Sequence, residues 1–131
     1  MAFKPDNTRS TRQGEAVRHV FQKARRPLSA REAHEMAGEQ LPGIGIATVY
    51  RTIRRLLESG VLATVDIPGV GAHYEMAGEG HHHYFYCGDC GRVYVIEGCP
   101  GRMSTLLPEG FEMRRHDIVL HGRCAGCNGS V

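Results

Sequence analysis

Two Cys-x-x-Cys pairs, Cys87-Gly88-Asp89-Cys90 and Cys124-Ala125-Gly126-Cys127, lie in the last third of this 131-residue chain. Two residues between cysteines let a tight turn aim both sulfurs at one point. Two such turns supply the four thiolates of a closed, tetrahedral, structural zinc site. Two disulfides or a thioredoxin-like redox pair are the competing uses. A redox motif needs only one such pair, and no secretory signal is read that would point to an oxidising compartment. Cys87, Cys90, Cys124 and Cys127 are therefore expected to hold Zn2+. Three consecutive histidines, His81, His82 and His83, precede the first pair. On a strand, His81 and His83 project from one face and can bind one ion together. The segment between the two pairs is long enough to fold into a small subdomain.

The elements that position these groups follow from composition and periodicity. At this length the chain forms one ordinary domain or two small ones, and a metal staple makes the second option workable. No apolar run is long enough to span a bilayer, so a cytoplasmic protein with no membrane partner is expected. The net charge is only +2, but Arg9, Arg12, Arg18, Lys23, Arg25, Arg26, Arg51, Arg54 and Arg55 crowd the first 60 residues, while histidine and cysteine fall mostly beyond residue 70. That asymmetry suggests a polyanion-binding module joined to a metal-binding one.

Residues 1 to 9 read as a disordered arm. Ser10 or Thr11 caps a helix running to about Ala24, and Pro27 breaks it. Ser29-Ala30-Arg31-Glu32 is a capping box, with Leu28 placed to staple onto Ala33, and the helix it opens ends near Gly38. After the Leu41-Pro42-Gly43 turn, residues 46 to 59 set Ile46, Val49, Ile53, Leu56 and Leu57 on one helical face and Thr48, Arg51, Thr52, Arg55 and Glu58 on the other, ending at Gly60. Residues 61 to 66 and 72 to 76 read as short strands around Ile67-Pro68-Gly69-Val70-Gly71. Three helices and a hairpin make a winged helix-turn-helix, whose third helix enters the major groove. Ala77 to Gly80 has hinge composition. Beyond it the pattern predicts strands at 81 to 86 and 93 to 96, a helix from about Pro100 to Leu107, and one or two strands between Phe111 and Leu120. The fold class expected is α+β. A winged helix-turn-helix domain spans 1–77, and an α/β dimerisation domain with a four-cysteine zinc site spans 78–131.

The stretches Gly45 to Thr52, Leu56 to Gly60, His81-His82-His83 through Val93, and His121 through Cys127 together resemble the ferric uptake regulator family of bacterial metal-dependent repressors. The resemblance runs from Ser10 to Cys127. It implies a homodimer in which the winged helix binds an inverted repeat of double-stranded DNA and the second domain dimerises. It also implies a regulatory metal near the hinge. The family's Thr-Val-Tyr-Arg segment supplies groove contacts, here Thr48, Tyr50 and Arg51. A guanidinium can grip guanine bidentately or hold a phosphate. Arg54 and Arg55 are expected at phosphates or in solvent, and Arg12 resembles the family's backbone-gripping basic positions.

The resemblance also assigns metal ligands. Many members carry a histidine before the second helix, where Pro27 and Leu28 stand, and another three residues before the first knuckle cysteine, where Tyr84 stands. The interdomain site keeps His82 and Glu75, with His34 or His73 as substitutes. His73 and Glu75 share a strand face. A second family site is better kept: His81, His83 and His116 match it, and Cys99 falls near its carboxylate. Three imidazoles and a thiolate suit zinc and suit magnesium or manganese less. The second divalent ion is thus expected to be Zn2+, with Fe2+ or Mn2+ as the other options.

The function expected is a metal-responsive transcriptional repressor sensing zinc or iron. A peroxide-sensing repressor is the sister reading, weakened by Pro27 and Tyr84. A zinc hydrolase or Cys-x-x-Cys oxidoreductase is the reading from another class. No HExxH and no deaminase-type motif occurs, so no enzyme is expected. A zinc-stapled architectural adaptor leaves the basic third helix unexplained.

Overall fold

The computed structural model describes residues 9–78 and 82–129. The chain divides into two compact units, Met1–Gly78 and Glu79–Val131. The expected N-terminal arm up to Asn7-Thr8, the Glu79-Gly80 part of the hinge, and His81 all lie outside the described residues.

In the first unit α1 (Arg9–Ala24), α2 (Ala30–Gln40) and α3 (Ile46–Glu58) precede the hairpin β1 (Leu62–Ile67) and β2 (Gly71–Met76). The capping box forms: the Glu32 amide donates to Ser29 Oγ at 3.1 Å and the Ser29 amide to Glu32 Oε1 at 3.0 Å. Two orphan donors are thereby satisfied. Arg26 adds an ion pair to Glu32 at 3.1 Å. Helix α2 runs past Gly38 to Gln40, because an isolated glycine weakens a helix without ending it. Helix α3 ends in a Schellman arrangement. Val61 N–H reaches the Leu56 carbonyl at 2.9 Å and Gly60 N–H the Leu57 carbonyl at 3.1 Å. Gly60, at φ 81°, takes the left-handed position this requires.

Val17, Val20, Phe21, Leu28, Ala33, Val49, Ile53, Leu56 and Leu62 form the core of this unit. Two positions in α3 depart from the periodicity reading. Thr52 is buried, 3% exposed, whereas Ile46 is 41% exposed. Thr52 lies three residues after Val49 and four before Leu56, so it falls inside the packed stripe. Ile46 shares that stripe but sits in the first turn, beyond the end of the core. The hairpin is antiparallel from Leu62↔Met76 to Ile67↔Gly71. Its turn follows Pro68 and Gly69, with Gly69 at φ 79° and Val70 N–H on the Ile67 carbonyl at 2.9 Å. That is the chemistry of a type II turn. Leu28 and Tyr74 exchange both backbone hydrogen bonds at 2.8 Å, which ties the α1–α2 connection to the wing.

The second unit contains β3 (His83–Cys87), β4 (Val93–Ile96), a single 3-10 turn (Met103–Leu106) and β5 (Val119–Gly122). The sheet order is β4-β3-β5, with β3 antiparallel to β4 and parallel to β5. The helix expected from Pro100 to Leu107 shrinks to one turn. Gly101 and Arg102 adopt φ of 68° and 54°, which no right-handed helix accepts, and Pro108 follows closely. The strands expected between Phe111 and Leu120 reduce to β5. Upstream of it, Glu112, Arg114, Arg115 and Asp117 make exposed ion pairs and bury no apolar face.

Candidate metal centres and nucleic-acid helix

Cys87 closes β3, and the following turn brings Cys90 back towards it, with Gly91 N–H on the Cys87 carbonyl at 2.9 Å and Gly91 at φ 78°. Parallel pairing of β3 with β5 carries Cys124 to the same end of the sheet: Gly88 N–H donates to the Gly122 carbonyl at 2.8 Å. All four knuckle sulfurs lie within 4.8 Å of one another, and Cys90 Sγ is 3.9 Å from Cys124 Sγ. A tetrahedron with Zn–S bonds of ~2.3 Å has an S···S edge of about 3.8 Å, so the spacing fits zinc. None of the five cysteines is in a disulfide.

The surrounding groups prepare the sulfurs for a cation. Amide N–H groups of Cys90 (3.4 Å) and Cys124 (3.3 Å) donate to Cys87 Sγ and pull its thiol down to about 6. Hydrogen bonding to the Cys124 and then the Cys87 sulfur pushes Cys127 up to about 12. Zinc binds cysteine as thiolate, so uptake by the four thiols releases protons and weakens as pH falls. The Cys127 amide and then the Tyr94 hydroxyl lower the Cys124 thiol, and the Cys124 sulfur in turn raises the Tyr94 phenol. Arg123 pairs with Asp89 at 2.9 Å, linking the two knuckles through an exposed contact.

Tyr94 was invisible to motif reading, because it belongs to neither Cys-x-x-Cys pair. The available signal was its place on the strand beside β3, where it faces Phe85 in register. Tyr94→Phe is expected to lower zinc affinity at the knuckles by about 10- to 100-fold, as loss of an outer-sphere hydrogen bond does. Competition against a chromophoric chelator measures it, and an unchanged affinity would remove Tyr94 from the site.

A second group of ligating side chains forms where His83, Cys99 and His116 meet, again with all ligand atoms within 4.8 Å. Cys99 Sγ lies 3.4 Å from His83 Nε2 and 3.2 Å from His116 Nε2, and the two rings stand 5.1 Å apart. His83 is only 3% exposed. Its Nδ1 accepts the Ile118 amide at 3.2 Å, so the neutral ring carries its proton on Nε2 and donates to the Cys99 sulfur. A cation entering through Nε2 must displace that proton. Either the ring turns or the Ile118 bond is released. His81, expected as the fourth ligand, lies outside the described residues.

His34, His73, Glu75 and His82 belong to neither group. The His34 ring donates from Nε2 to the Ile44 carbonyl at 2.8 Å. His73, 4% exposed, has Nδ1 at 3.3 Å from the Gly71 carbonyl. His82 stacks edge-on against Tyr84 at 5.3 Å.

On α3, Ala47, Tyr50, Arg51 and Arg54 are exposed along one side, with Tyr50 52% exposed, so its ring is not core packing. Arg51 donates to Thr48 Oγ1 at 3.1 Å, which orients its guanidinium near the start of the helix. Arg55 instead lies against α1: a Cβ added at Gly14 would come within 3.0 Å of its Nη2. Arg12 is exposed on α1.

A winged helix joined in one chain to a four-cysteine knuckle and a His2Cys group defines a winged-helix protein with two groups of side chains that could hold a metal ion. The profile of the Ferric uptake regulator family matches residues 6–121. The ferric uptake regulation protein of Bacillus subtilis (strain 168) is 33% identical over 125 residues, covering 86% of this chain and 80% of that protein. That of Campylobacter jejuni is 34% identical over 88 residues, covering 65% of this chain and 56% of that relative's length. Among solved structures, FurB from M. tuberculosis, described as a zinc uptake regulator, superposes with a TM-score of 0.52 at 28% identity, covering 92% of this chain and 96% of that one. The chain belongs to the ferric uptake regulator family.

Proposed function

We propose that this protein is a metal-responsive transcriptional repressor acting as a homodimer on an inverted repeat of double-stranded DNA, with zinc the favoured signal and iron or manganese the alternatives. The convergence of His83, Cys99 and His116 apart from the knuckles carries this reading, because a structural zinc needs only the four cysteines. Cys87, Cys90, Cys124 and Cys127 hold structural zinc in a dimerisation domain beginning at residue 78. His83, Cys99 and His116, with His81, hold the regulatory ion. Thr48, Tyr50 and Arg51 of the winged helix, residues 1–77, face the bases, and Arg54 and Arg12 serve phosphates. Regulation needs no catalysis: an occupied site favours one arrangement of the recognition helices, and the cost of ordering them falls.

The test is selection of random duplexes by the full chain in zinc and in chelator. An inverted repeat enriched only in zinc is the expected result, and no enrichment in either would overturn the reading. On the selected duplex, Arg51→Ala is expected to weaken binding by about 1 to 3 kcal/mol if the guanidinium meets a base. If it meets a phosphate, the salt dependence of binding falls instead by about one counterion. Unchanged affinity with unchanged salt dependence would take Arg51 off the DNA.

A further inference from the structure

We propose that Gly14 is a positioning residue for DNA binding: without a Cβ it admits the Arg55 guanidinium against α1, where Arg55 and Arg18 together form a seat for one backbone phosphate. The inference rests on the reading of α3 as the DNA-contacting helix. Gly14 lies in the interior of α1, where glycine weakens a helix relative to alanine through its backbone entropy. It is helical and has no positive φ, so no turn or cap demands it. What occupies its missing side chain is Arg55: a Cβ built at Gly14 would stand 3.0 Å from Arg55 Nη2. The glycine of α2, Gly38, has nothing within 4 Å of the same position.

Arg18 and Arg55 line one cleft of about 390 Å3, together with Thr11, Gly14, Glu15 and the buried Leu56. Among the described residues neither guanidinium is in an ion pair, and nor is Glu15. Arg26, by contrast, is held by Glu32 at 3.1 Å. Two guanidiniums brought to one cleft repel each other, and a single carboxylate offsets that only in part. An anion that accepts hydrogen bonds from both relieves it. The anion is a DNA phosphate, because the cleft continues the exposed side of α3. Arg55 follows Arg51 by four residues, about one turn along the same face, and Arg51 is oriented by Thr48 near the helix start. A phosphate held there sets how the helix sits on the duplex and reads no base. With alanine at position 14 the methyl group takes the place of Nη2. The flexible Arg55 side chain then swings off α1, and the seat is lost.

The experiment places Gly14→Ala in the full zinc-loaded chain and measures binding to the zinc-selected duplex and to a scrambled one across a salt series. Thermal unfolding of the first unit should move up by a few degrees, as replacing a mid-helix glycine does. Affinity should nonetheless fall about 10-fold on both duplexes, and the salt dependence should drop by about one counterion per protomer. Arg55→Ala should reproduce both losses, and Gly14→Ala added to it should weaken binding no further, since the two act through one guanidinium. Unchanged affinity and salt dependence in Gly14→Ala would overturn the proposal and leave the DNA reading standing. So would a lowered melting temperature, which makes the glycine a packing residue, or a loss confined to the selected duplex, which marks a base contact. Additive losses in the double variant would overturn it as well. If the parent chain binds neither duplex, the repressor reading fails and this inference fails with it.

Discussion

Cys90→Ser is expected to release about one zinc per chain and to unfold the second unit, with loss of stabilisation on the order of 10 kcal/mol, the scale of structural zinc binding at neutral pH. The size follows from how little else holds this unit together. Its sheet has only three short strands, and Cys87 and Val93 are the fully buried side chains at its knuckle end. The 3-10 turn has no buried residue, and Leu106, Phe111 and Leu120 stand exposed. A core of that size cannot offset the chain entropy of ordering some fifty residues without a staple. The first unit has its own core around Phe21, Leu28 and Ile53 and should keep its helical signal. Zinc content by elemental analysis and thermal unfolding followed by circular dichroism check both halves. A Cys90→Ser protein that keeps its zinc and its cooperative C-terminal transition would remove the four-cysteine assignment.

How far the sequence disclosed this architecture depended on how local the relevant physics was. The capping box at Ser29, the glycine stop at Gly60 and the Pro68-Gly69 turn each satisfy backbone groups within a few residues, and each was legible. The Cys-x-x-Cys pairs were legible for the same reason, since each turn is closed within one motif. Thr52 is polar by type but lies at an angular position inside the stripe of Val49, Ile53 and Leu56, where even a hydroxyl is buried. The segment from Pro100 to Ile118 departs from its apolar pattern more broadly. Its apolar residues suggested a helix and strands, but two consecutive left-handed residues and a run of exposed charges leave most of it irregular. Tyr94 and the Ile118 amide act on the metal groups only through strand pairing, so nothing near them in sequence marks their role.

Cys99→Ser is expected to abolish the metal-dependent gain in DNA affinity while leaving the knuckle zinc and the metal-free affinity in place. Couplings between an effector and a second ligand commonly amount to about 1 to 3 kcal/mol, so a gain of roughly 5- to 150-fold should collapse to none. Serine keeps the shape of the side chain but replaces a soft thiolate with a hydroxyl that stays protonated at neutral pH, so the group loses its only anionic ligand among the described residues. His83→Ala should have the same regulatory effect but is the less clean variant. It removes a ring that is 3% exposed and leaves the Ile118 amide without its acceptor, which destabilises the sheet as well. His82→Ala should do less, because His82 belongs to neither ligand group and its ring rests on Tyr84. The comparison is decisive because the variants separate two sites that metal titration of the parent protein would merge. If His82→Ala or Glu75→Ala eliminates the metal response while Cys99→Ser is silent, the signal is read through His82 or Glu75, and the His83, Cys99 and His116 group serves some other end.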